Sequence, residues 1–398
     1  MRPYSDYDHG TGAGSLIPPG DAMKSLPAAA DGRRPPSFSG ARNQREKARA
    51  AGMHPDYWYA VEYDERLAVG RVIEVKFWGS SIALFRGADG VVRALENRCA
   101  HRHVRLSIGQ VTGCTLTCAY HGWTYDAEGC LVEVPHELFG RQFGKVKIRS
   151  YPVRSRYGLI WLFPGNPALA ERTALPEIPE IEGPDRWACV PIDFTWQAHH
   201  SIIVDNVSDF THAYLHRRYR PFVDAKLSRC ETVGNKVELS YEVVVGDGRF
   251  SKLFVDRKRA RTDRMDLAFD YPYQCSNTGD RIKHWCFLLP IDERTTRVFF
   301  LFYFDALKIP FTPLRIPRAV MTPFLQAANR LLIRPLLSED GIAVEAEQDA
   351  YEISNGAPFI EFNPAVTMFQ KLIARRWEDY LASQSARTAA TDEAQGVA

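Results

Sequence analysis

Two short segments rich in cysteine and histidine constrain this chain more than any other feature. The first reads Cys99-Ala-His101. After sixteen intervening residues, the second reads Cys118-Ala-Tyr-His121. Each segment supplies one thiolate and one imidazole. A [2Fe–2S] centre can hold one iron with two cysteines and the other with two histidines. The spacing therefore predicts an iron–sulfur cluster held between two loops.

Two other interpretations of these segments stay open. A structural zinc site more often pairs Cys-x2-Cys with His-x3-5-His or uses four cysteines. A chance pattern without metal is the third possibility. Both segments lie in loops punctuated by glycine between apolar, strand-like runs, and the second continues into Gly122 and Trp123. The pattern favours a cluster over zinc, and zinc over no metal.

The stretch 99–123 resembles the N-terminal domain of Rieske non-heme iron oxygenases. Rieske proteins of respiratory and photosynthetic cytochrome complexes carry one more cysteine in each loop, whereas this chain has Val104 and Tyr120 at those offsets. The resemblance is therefore to the oxygenase or ferredoxin branch. It implies a Rieske [2Fe–2S] cluster, with His103 and Trp123 shielding it. The implied cluster ligands are Cys99, His101, Cys118 and His121.

The composition excludes several classes of protein. At 398 residues, with 45% hydrophobic and 25% charged residues, the chain is long enough for two globular domains. A formal net charge of +2 gives no general case for nucleic acid. No apolar run is long enough to cross a membrane. Eight cysteines are too few for a disulfide scaffold at this length. We expect free thiols in a reducing cytoplasm.

The chain divides by pattern into five segments. Residues 1–52 show no apolar periodicity, which predicts a disordered tail. Residues 53–167 are β-rich and predict a small antiparallel domain with the cluster at its tip. Proline-rich residues 168–184 predict a linker, residues 185–384 a catalytic domain, and residues 385–398 a second disordered tail.

The larger segment combines strand and helix patterns. A helix is predicted from about Ser201 to His216, and residues 237–245 alternate strictly between apolar and polar, as in a half-buried strand. Further strands are expected at 269–274, 282–289 and 297–304, and helices near 318–332, 340–351 and 364–381. The predicted fold class is α+β. An all-β Rieske [2Fe–2S] domain is followed by an antiparallel-sheet, helix-grip catalytic domain, in which a curved sheet wraps a long helix.

A second metal site is predicted in the segment 205–216. His212 and His216 are four residues apart, so on a helix both imidazoles project from one face. With one carboxylate they would form a 2-His-1-carboxylate facial triad, which leaves open positions on Fe(II). Taken alone, two such histidines can equally be a polar helix face.

The family resemblance favours the metal site. Rieske oxygenases typically show Asn-x2-Asp-x2-His-x4-His here, and Asn206, Asp209 and His212 match the first three positions. His216 departs from the pattern, since the interval is x3 and Arg217 stands at the x4 position. We expect Asn206 and Asp209 to be catalytic residues and His216 to be the second histidine ligand.

The third ligand is expected near the C-terminus. The stretch 338–348 resembles the family's Glu-Asp-x4-Glu-Ala-x-Gln motif, which places the ligand at Asp340, with Glu339 and Glu345 as alternatives. The family also implies that Asp209 orients His212. In a head-to-tail homotrimer, Asp209 would bridge to His121 of the partner subunit.

These features imply the oxygenase component of a Rieske non-heme iron system. It would use O2 and electrons relayed from NAD(P)H through a reductase or ferredoxin to oxidise an aromatic or alicyclic substrate. Monohydroxylation, demethylation, cis-dihydroxylation and oxidative ring closure stay open, and the compact length favours the homotrimeric monooxygenase branch. The alternative is an electron-transfer Rieske protein without iron in its C-terminal half.

Other polar features receive a structural interpretation. His199, His200 and His284 are not spaced with the predicted ligands, so we expect hydrogen-bonded structural residues. The basic run 252–264 could dock an acidic ferredoxin, but a solvated surface accounts for it more simply.

Overall fold

The protein is described by a computed structural model. It covers residues 35–135, 144–182, 187–219, 222–244, 262–305, 307–308, 314–316, 320–354 and 357–396. Residues 1–34 of the predicted N-terminal tail and residues 252–261 of the basic run lie outside the described residues.

The N-terminal part contains three antiparallel sheets. Their strand orders are β1-β11-β10, β2-β3-β4-β9 and β5-β6-β7-β8. The strands are β1 (Tyr59–Tyr63), β2 (Val72–Phe77), β3 (Ser80–Arg86), β4 (Val92–Glu96), β5 (Gln110–Thr112), β6 (Thr115–Thr117), β7 (Thr124–Tyr125), β8 (Leu131–Glu133), β9 (Ser150–Tyr151), β10 (Val153–Arg156) and β11 (Leu159–Leu162). Every pairing of these strands is antiparallel. The predicted β-rich domain is confirmed.

The two Cys/His loops lie at one end of this part. One loop connects β4 to β5 and the other connects β6 to β7. They enclose a small core of their own, which includes Phe85, Leu106 and Leu116 together with the two loop cysteines. This core is separate from the main core of the protein.

A seven-stranded antiparallel sheet forms the C-terminal part, in the order β12-β18-β17-β16-β15-β14-β13. Its strands are β12 (Ala188–Trp196), β13 (Val223–Val233), β14 (Lys236–Val244), β15 (Thr262–Asp270), β16 (Tyr273–Thr278), β17 (Ile282–Pro290) and β18 (Thr296–Phe304). In β14 the alternate residues Val237, Leu239, Tyr241 and Val243 are buried, as the apolar alternation predicts.

Helices accompany this sheet. They are α4 (His200–Ser208), α5 (Met321–Ala328), α6 (Arg334–Ser354) and α7 (Pro364–Gly396), while short helices α1 (Gln44–Ala50), α2 (Pro167–Ala170) and α3 (Pro179–Glu182) precede them. A π-helical segment, Asn329–Ile333, joins α5 to α6, and the short strands β19 (Leu307–Lys308) and β20 (Arg315–Ile316) form a ribbon. Phe369 of α7 packs against Phe269 of β15 with ring centroids 5.4 Å apart. The α+β class, with a long helix packed against an antiparallel sheet, is confirmed.

None of the helices within the described ranges is both long and apolar enough to cross a lipid bilayer.

The main core joins the N-terminal part to the large sheet. Trp161 of β11 packs edge-on against Phe287 of β17, with ring centroids 4.9 Å apart. At the β2–β3 turn, the backbone N–H groups of Trp78 and Gly79 donate to the carbonyls of Pro290 and Ile291, at 2.8 and 2.7 Å. The two parts therefore share one hydrophobic interior.

Parts of both predicted disordered tails are helical within the described residues. Residues 44–50, inside the predicted tail 1–52, form α1, whose N-terminus is capped when Asn43 accepts a hydrogen bond from the Glu46 backbone. Residues 385–396 continue α7. The sequence lacked apolar periodicity at 44–50 because α1 packs through charged groups.

Arg49 of α1 is the centre of a buried charge network. Its side chain is 1% exposed, and Nη2 lies 2.6 Å from Asp205 of α4 and 2.9 Å from Glu347 of α6. Nη1 donates to Ser201 Oγ, and Gln370 Nε2 donates to Asp205 at 2.7 Å. Burial raises the pKa of Asp205 to about 6, although Arg49 favours its charged form. This network ties α1, α4, α6 and α7 together.

The buried imidazole of His200 makes stability depend on pH. Nε2 of His200 donates to the Ala51 carbonyl at 2.9 Å, and burial lowers the His200 pKa to about 4. The unfolded chain binds a proton near pH 6.5, but the folded chain does not do so until about pH 4. Stability is therefore lost as the pH falls through this window, by on the order of 3 kcal/mol from His200 alone.

Urea unfolding of wild type and His200→Gln at pH 7 and pH 4.5 tests this pH dependence. The variant should lose less stability on acidification than wild type, and an equal loss would contradict the expectation.

Candidate active site

The first candidate centre lies between the two Cys/His loops. Cys99 and Cys118 are both buried, and both are free thiols. The ring centroids of His101 and His121 lie 4.5 Å apart. The structure therefore brings all four predicted cluster residues to one place.

Backbone hydrogen bonds shape these loops. The Cys99 N–H donates to the Val104 carbonyl, and the Cys118 N–H donates to the Trp123 carbonyl, both at 2.9 Å. Gly122 adopts a positive φ of 69°, and a Cβ there would lie 2.5 Å from Pro135. Only glycine fits this turn, which explains the glycine directly after His121.

Aromatic side chains surround the histidine pair. The Trp123 ring stacks on His101 with the planes 8° apart and the centroids 4.8 Å apart. Tyr125 Oη lies 3.3 Å from Cys99 Sγ and also accepts from the Ala100 N–H. Trp123 thus covers His101 as predicted. The contact of Tyr125 with a cysteine sulfur was not predicted from the sequence.

The second candidate centre lies between α4 and α6. Asp340 Oδ1 is 3.5 Å from His212 Nε2 and 3.3 Å from His216 Nε2. One potential ligand atom from each of these three residues lies within 4.8 Å of the others. The spatial grouping that the sequence predicted is therefore present.

The backbone that carries the histidines is not the predicted continuous helix. Helix α4 ends at Ser208, and Asp209 has extended φ and ψ angles of −104° and 94°. The Asp209 carboxylate accepts from the Thr211 N–H and so starts a short 3₁₀ turn, Phe210–Tyr214. Such local side-chain bonds compete with helix continuation. His212 and His216 converge through this turn rather than along one helix face, so the prediction of a helix to His216 was wrong.

Asp209 is held next to the triad by several contacts. Its Oδ1 accepts hydrogen bonds from Thr211 and from Asn363 Nδ2, the latter at 2.8 Å. The backbone carbonyl of Asp209 accepts a hydrogen bond from the His212 ring, and both this bond and the negative charge of Asp209 act to raise the pKa of His212.

Two polar residues hold the triad in place. Asn206 Nδ2 donates to Asp340 Oδ1 at 3.3 Å, and Glu339 Oε2 lies 3.0 Å from His216 Nδ1. Because Nδ1 is bound to Glu339, Nε2 of His216 faces Asp340. Glu345, an alternative ligand in the sequence analysis, accepts a hydrogen bond from the Gln197 backbone instead.

The two histidines have different proton affinities. Burial lowers the pKa of His212, although the nearby Asp340 carboxylate opposes this effect. Burial also acts to lower the pKa of His216, but hydrogen bonds and charge attraction from Asp340 and Glu339 outweigh it, and the pKa is raised. A neutral imidazole is the form that binds a metal.

A large pocket opens beside this triad. The empty space between its lining residues, together with the open space at its mouth, is about 1290 Å³. Its wall is mainly aromatic and aliphatic, and His212, His216 and Asp340 lie on it. The principal apolar lining residues are Trp196, Phe210, Phe222, Met265, Phe300 and Phe302. The aromatic run 299–304 contributes both to this pocket and to the main core.

Comparison with known proteins decides the family. Residues 57–151 match the Rieske [2Fe-2S] domain family, and residues 196–384 match the Vanillate O-demethylase oxygenase C-terminal domain. A 4beta-methylsterol monooxygenase of Methylococcus capsulatus (strain ATCC 33009 / NCIMB 11132 / Bath) is 44% identical over 339 residues, which cover 85% of this chain and 92% of the relative. The chain belongs to the Rieske oxygenases.

Other relatives agree with this placement. The oxygenase component of dicamba O-demethylase from Stenotrophomonas maltophilia is 34% identical over 205 residues, 49% of this chain and 54% of the relative. Among solved structures, dicamba monooxygenase bound to dicamba superposes with a TM-score of 0.67 at 22% identity, covering 84% of this chain and 100% of the other. Pseudomonas putida CBB5 NdmA with caffeine gives 0.61 at 19% identity, covering 86% and 94%.

This Rieske oxygenase is therefore an oxygenase component, as the sequence analysis predicted. The comparisons support that interpretation and not the alternative of an electron-transfer protein.

The N-terminal residues of this Rieske oxygenase fit a [2Fe–2S] cluster. Two buried thiols face each other. Burial is the main cause that raises the pKa of Cys118, and the nearby Cys99 thiol acts in the same direction. Nδ1 of His101 is buried without a hydrogen-bond partner among the described residues. A buried imidazole nitrogen without a hydrogen-bond partner, close to two thiols, is the arrangement expected of a metal ligand.

The second site of this Rieske oxygenase fits a mononuclear iron. Two imidazoles and one carboxylate are the donor set of non-heme Fe(II) sites, and they line a pocket that a substrate can enter. Asn206 and Glu339 supply the outer hydrogen bonds that such ligands require.

Glu339 is expected to set the affinity of the second site for iron. Replacing Glu339 by glutamine removes the charge that holds His216 Nδ1, and partners of this kind typically contribute 10–100-fold to metal affinity or activity. Titration of the mononuclear site with Fe(II) should give about 10–100-fold weaker binding in Glu339→Gln. Glu345→Gln, on the same helix, serves as the control and should bind iron like wild type. Equal iron affinity in Glu339→Gln and wild type would show that the contact has no such role.

Proposed function

We propose that this Rieske oxygenase inserts oxygen into a methyl group on the ring system of a 4-methylsterol or a closely similar polycyclic alcohol. The observation that carries this proposal is the 44% identity, over 92% of its length, to a 4beta-methylsterol monooxygenase. The sequence analysis expected an aromatic or alicyclic substrate, and a sterol belongs to the alicyclic class.

The pocket wall supports an apolar substrate. Ligand pockets of this kind are lined mainly by hydrophobic and aromatic side chains with a few polar groups, as this one is. Phe300, Phe302 and Phe304 point from β18 into the pocket, and Phe210 and Phe222 face it near the triad. Burying a rigid hydrocarbon against such a wall releases ordered water and loses little conformational entropy.

His212, His216 and Asp340 are proposed to hold the mononuclear iron. When bound there, the iron supplies O2 activation with electrons received from the Rieske cluster. Glu339 keeps His216 oriented through Nδ1, while Asn206 holds Asp340 by one carboxylate oxygen. The apolar walls exclude bulk water from the reacting carbon and place the methyl group toward the triad.

Cys99, His101, Cys118 and His121 are proposed to hold the cluster. Tyr120 is 55% exposed beside His121, with Arg102 over its ring, so this end of the protein is open to a partner. Electrons would come from NAD(P)H through a reductase or a ferredoxin. The nearby arginines favour an acidic partner surface.

A head-to-tail homotrimer is part of this proposal. Asp209 is partly exposed next to the triad, and Asn363 fixes its carboxylate. In the trimer, Asp209 would contact His121 of the partner subunit and give electrons a short path between the two centres.

The proposed domain boundaries follow the sequence analysis. A cluster domain over 53–167, a linker over 168–184 and a catalytic domain over 185–384 contain both family matches, at 57–151 and 196–384. A reducing cytoplasm is proposed as the compartment, since all eight cysteines are free.

Single-turnover oxidation tests the substrate. Protein loaded with both metal centres is reduced with dithionite, desalted, and exposed to O2 with either a 4,4-dimethylsterol or a methoxybenzoate. We expect one oxygen atom added to the sterol by mass spectrometry and no product from the methoxybenzoate. His216→Ala should form no product while keeping the EPR signal of the reduced cluster. Oxidation of the methoxybenzoate and not of the sterol would overturn the proposal.

A further inference from the structure

One row of the pocket wall is polar although its neighbours are apolar. Ser276 of β16 pairs directly with His284 of β17, which in turn pairs with Phe302 of β18. All three line the pocket, because alternate residues of a strand share one face of the sheet. Ser276 and His284 therefore place hydroxyl and imidazole groups inside an aromatic surface.

Within the described residues, Ser276 and His284 do not use up their hydrogen-bonding capacity on each other. Ser276 Oγ lies 2.7 Å from His284 Nδ1 and 3.3 Å from Nε2, so one hydroxyl sits against the edge of the ring between both nitrogens. A neutral imidazole has one N–H donor and one lone pair, whereas a hydroxyl has a single proton. The pair can thus offer a ligand both a donor and an acceptor.

The environment of His284 favours an uncharged ligand. Burial lowers the pKa of His284 to about 4, so the imidazole is neutral at physiological pH. Apart from Asp340 of the triad, the charged residues of the pocket wall are Asp263 and Arg281, which lie at strand ends and not in this row. A carboxylate placed here would lose water without meeting a positive charge.

We propose that Ser276 and His284 form a subsite that hydrogen-bonds a neutral hydroxyl or carbonyl oxygen of the substrate. The inference rests on the proposed function, since a polycyclic alcohol carries one such oxygen on a hydrocarbon body. The subsite fixes which end of the substrate enters first, and therefore which methyl group faces the triad.

Paired ligands test the subsite. A 4,4-dimethylsterol and its 3-deoxy analogue are compared for equilibrium binding to protein loaded with both metal centres, in wild type, Ser276→Ala and His284→Phe. Wild type should bind the alcohol at least about tenfold more tightly. Each variant should reduce this ratio to about twofold or less by weakening the alcohol alone. Cys275→Ala, whose side chain points to the other face of the sheet, is the matched control and should keep the wild-type ratio.

The outcomes separate the two proposals. Equal binding of both sterols by wild type, or an unchanged ratio in both variants, overturns the subsite and leaves the proposed function standing. Binding of neither sterol by wild type overturns the proposed substrate class and the subsite with it. Because Ser276→Ala removes only one oxygen, it keeps the test valid if His284→Phe does not fold.

Discussion

Replacing Asp340 by alanine is expected to abolish substrate oxidation while the EPR signal of the reduced Rieske cluster stays intact. Asp340 Oδ1 lies close to both histidines, 3.5 Å from His212 Nε2 and 3.3 Å from His216 Nε2. Since outer partners of metal ligands alone contribute 10–100-fold, loss of the carboxylate itself should reduce turnover by more than about 100-fold. Iron analysis should show one iron fewer per chain than in wild type.

The control for this variant is Glu345→Gln. Glu345 lies five residues further along α6 and contacts the Gln197 backbone, so its loss should leave iron content and turnover near wild type. If Asp340→Ala retained the full iron content, the carboxylate would lie outside the metal site and the triad would need another member. Loss of the cluster signal in the same variant would contradict the separation of the two centres.

Removing Arg49 is expected to have the largest effect on stability. Arg49→Met leaves the Asp205 carboxylate buried without its cation, and breaking such a pair typically costs about 3–5 kcal/mol. Because Arg49 also bonds Ser201 and Glu347, α4 and α6 lose a common anchor, and iron binding between them should weaken as well. Chemical denaturation and Fe(II) titration measure the two effects.

Two further variants test whether the buried charge of Asp205 causes this loss of stability. Arg45→Met removes a half-exposed contact with Glu347 and should change stability by less than about 1 kcal/mol. The double variant Arg49→Met/Asp205→Asn removes both buried charges and should recover part of the stability lost in Arg49→Met. If the double variant were no more stable than Arg49→Met, the uncompensated charge would not be the cause.

The cluster loops were predictable because their chemistry is local in sequence. Cys99, His101, Cys118 and His121 lie within 23 residues, and the glycine after His121 occupies a turn that only glycine fits. The strand β14 was equally predictable from the sequence, since one face of the sheet is buried there and the other is not, so apolar and polar residues alternate.

The features that the sequence did not reveal depend on contacts between distant segments. Helix α4 ends at Ser208 because the Asp209 side chain bonds Thr211 and Asn363, the latter 154 residues away. The contact of Glu339 with His216 and the anchoring of α1 by Arg49 likewise need the folded chain. His284 was interpreted as structural from its isolation in sequence, whereas its position in the sheet places it on the pocket wall.

The separate core beneath the cluster loops bears on how the holoprotein is assembled. The ten buried residues of that core make up one end of the molecule, while the interior shared by the large sheet and strands β1, β10 and β11 continues without them. We expect the greater part of the chain to acquire its tertiary structure before any iron or sulfide arrives. Maturation would then consist of inserting a preformed cluster into a locally open end of an otherwise finished protein.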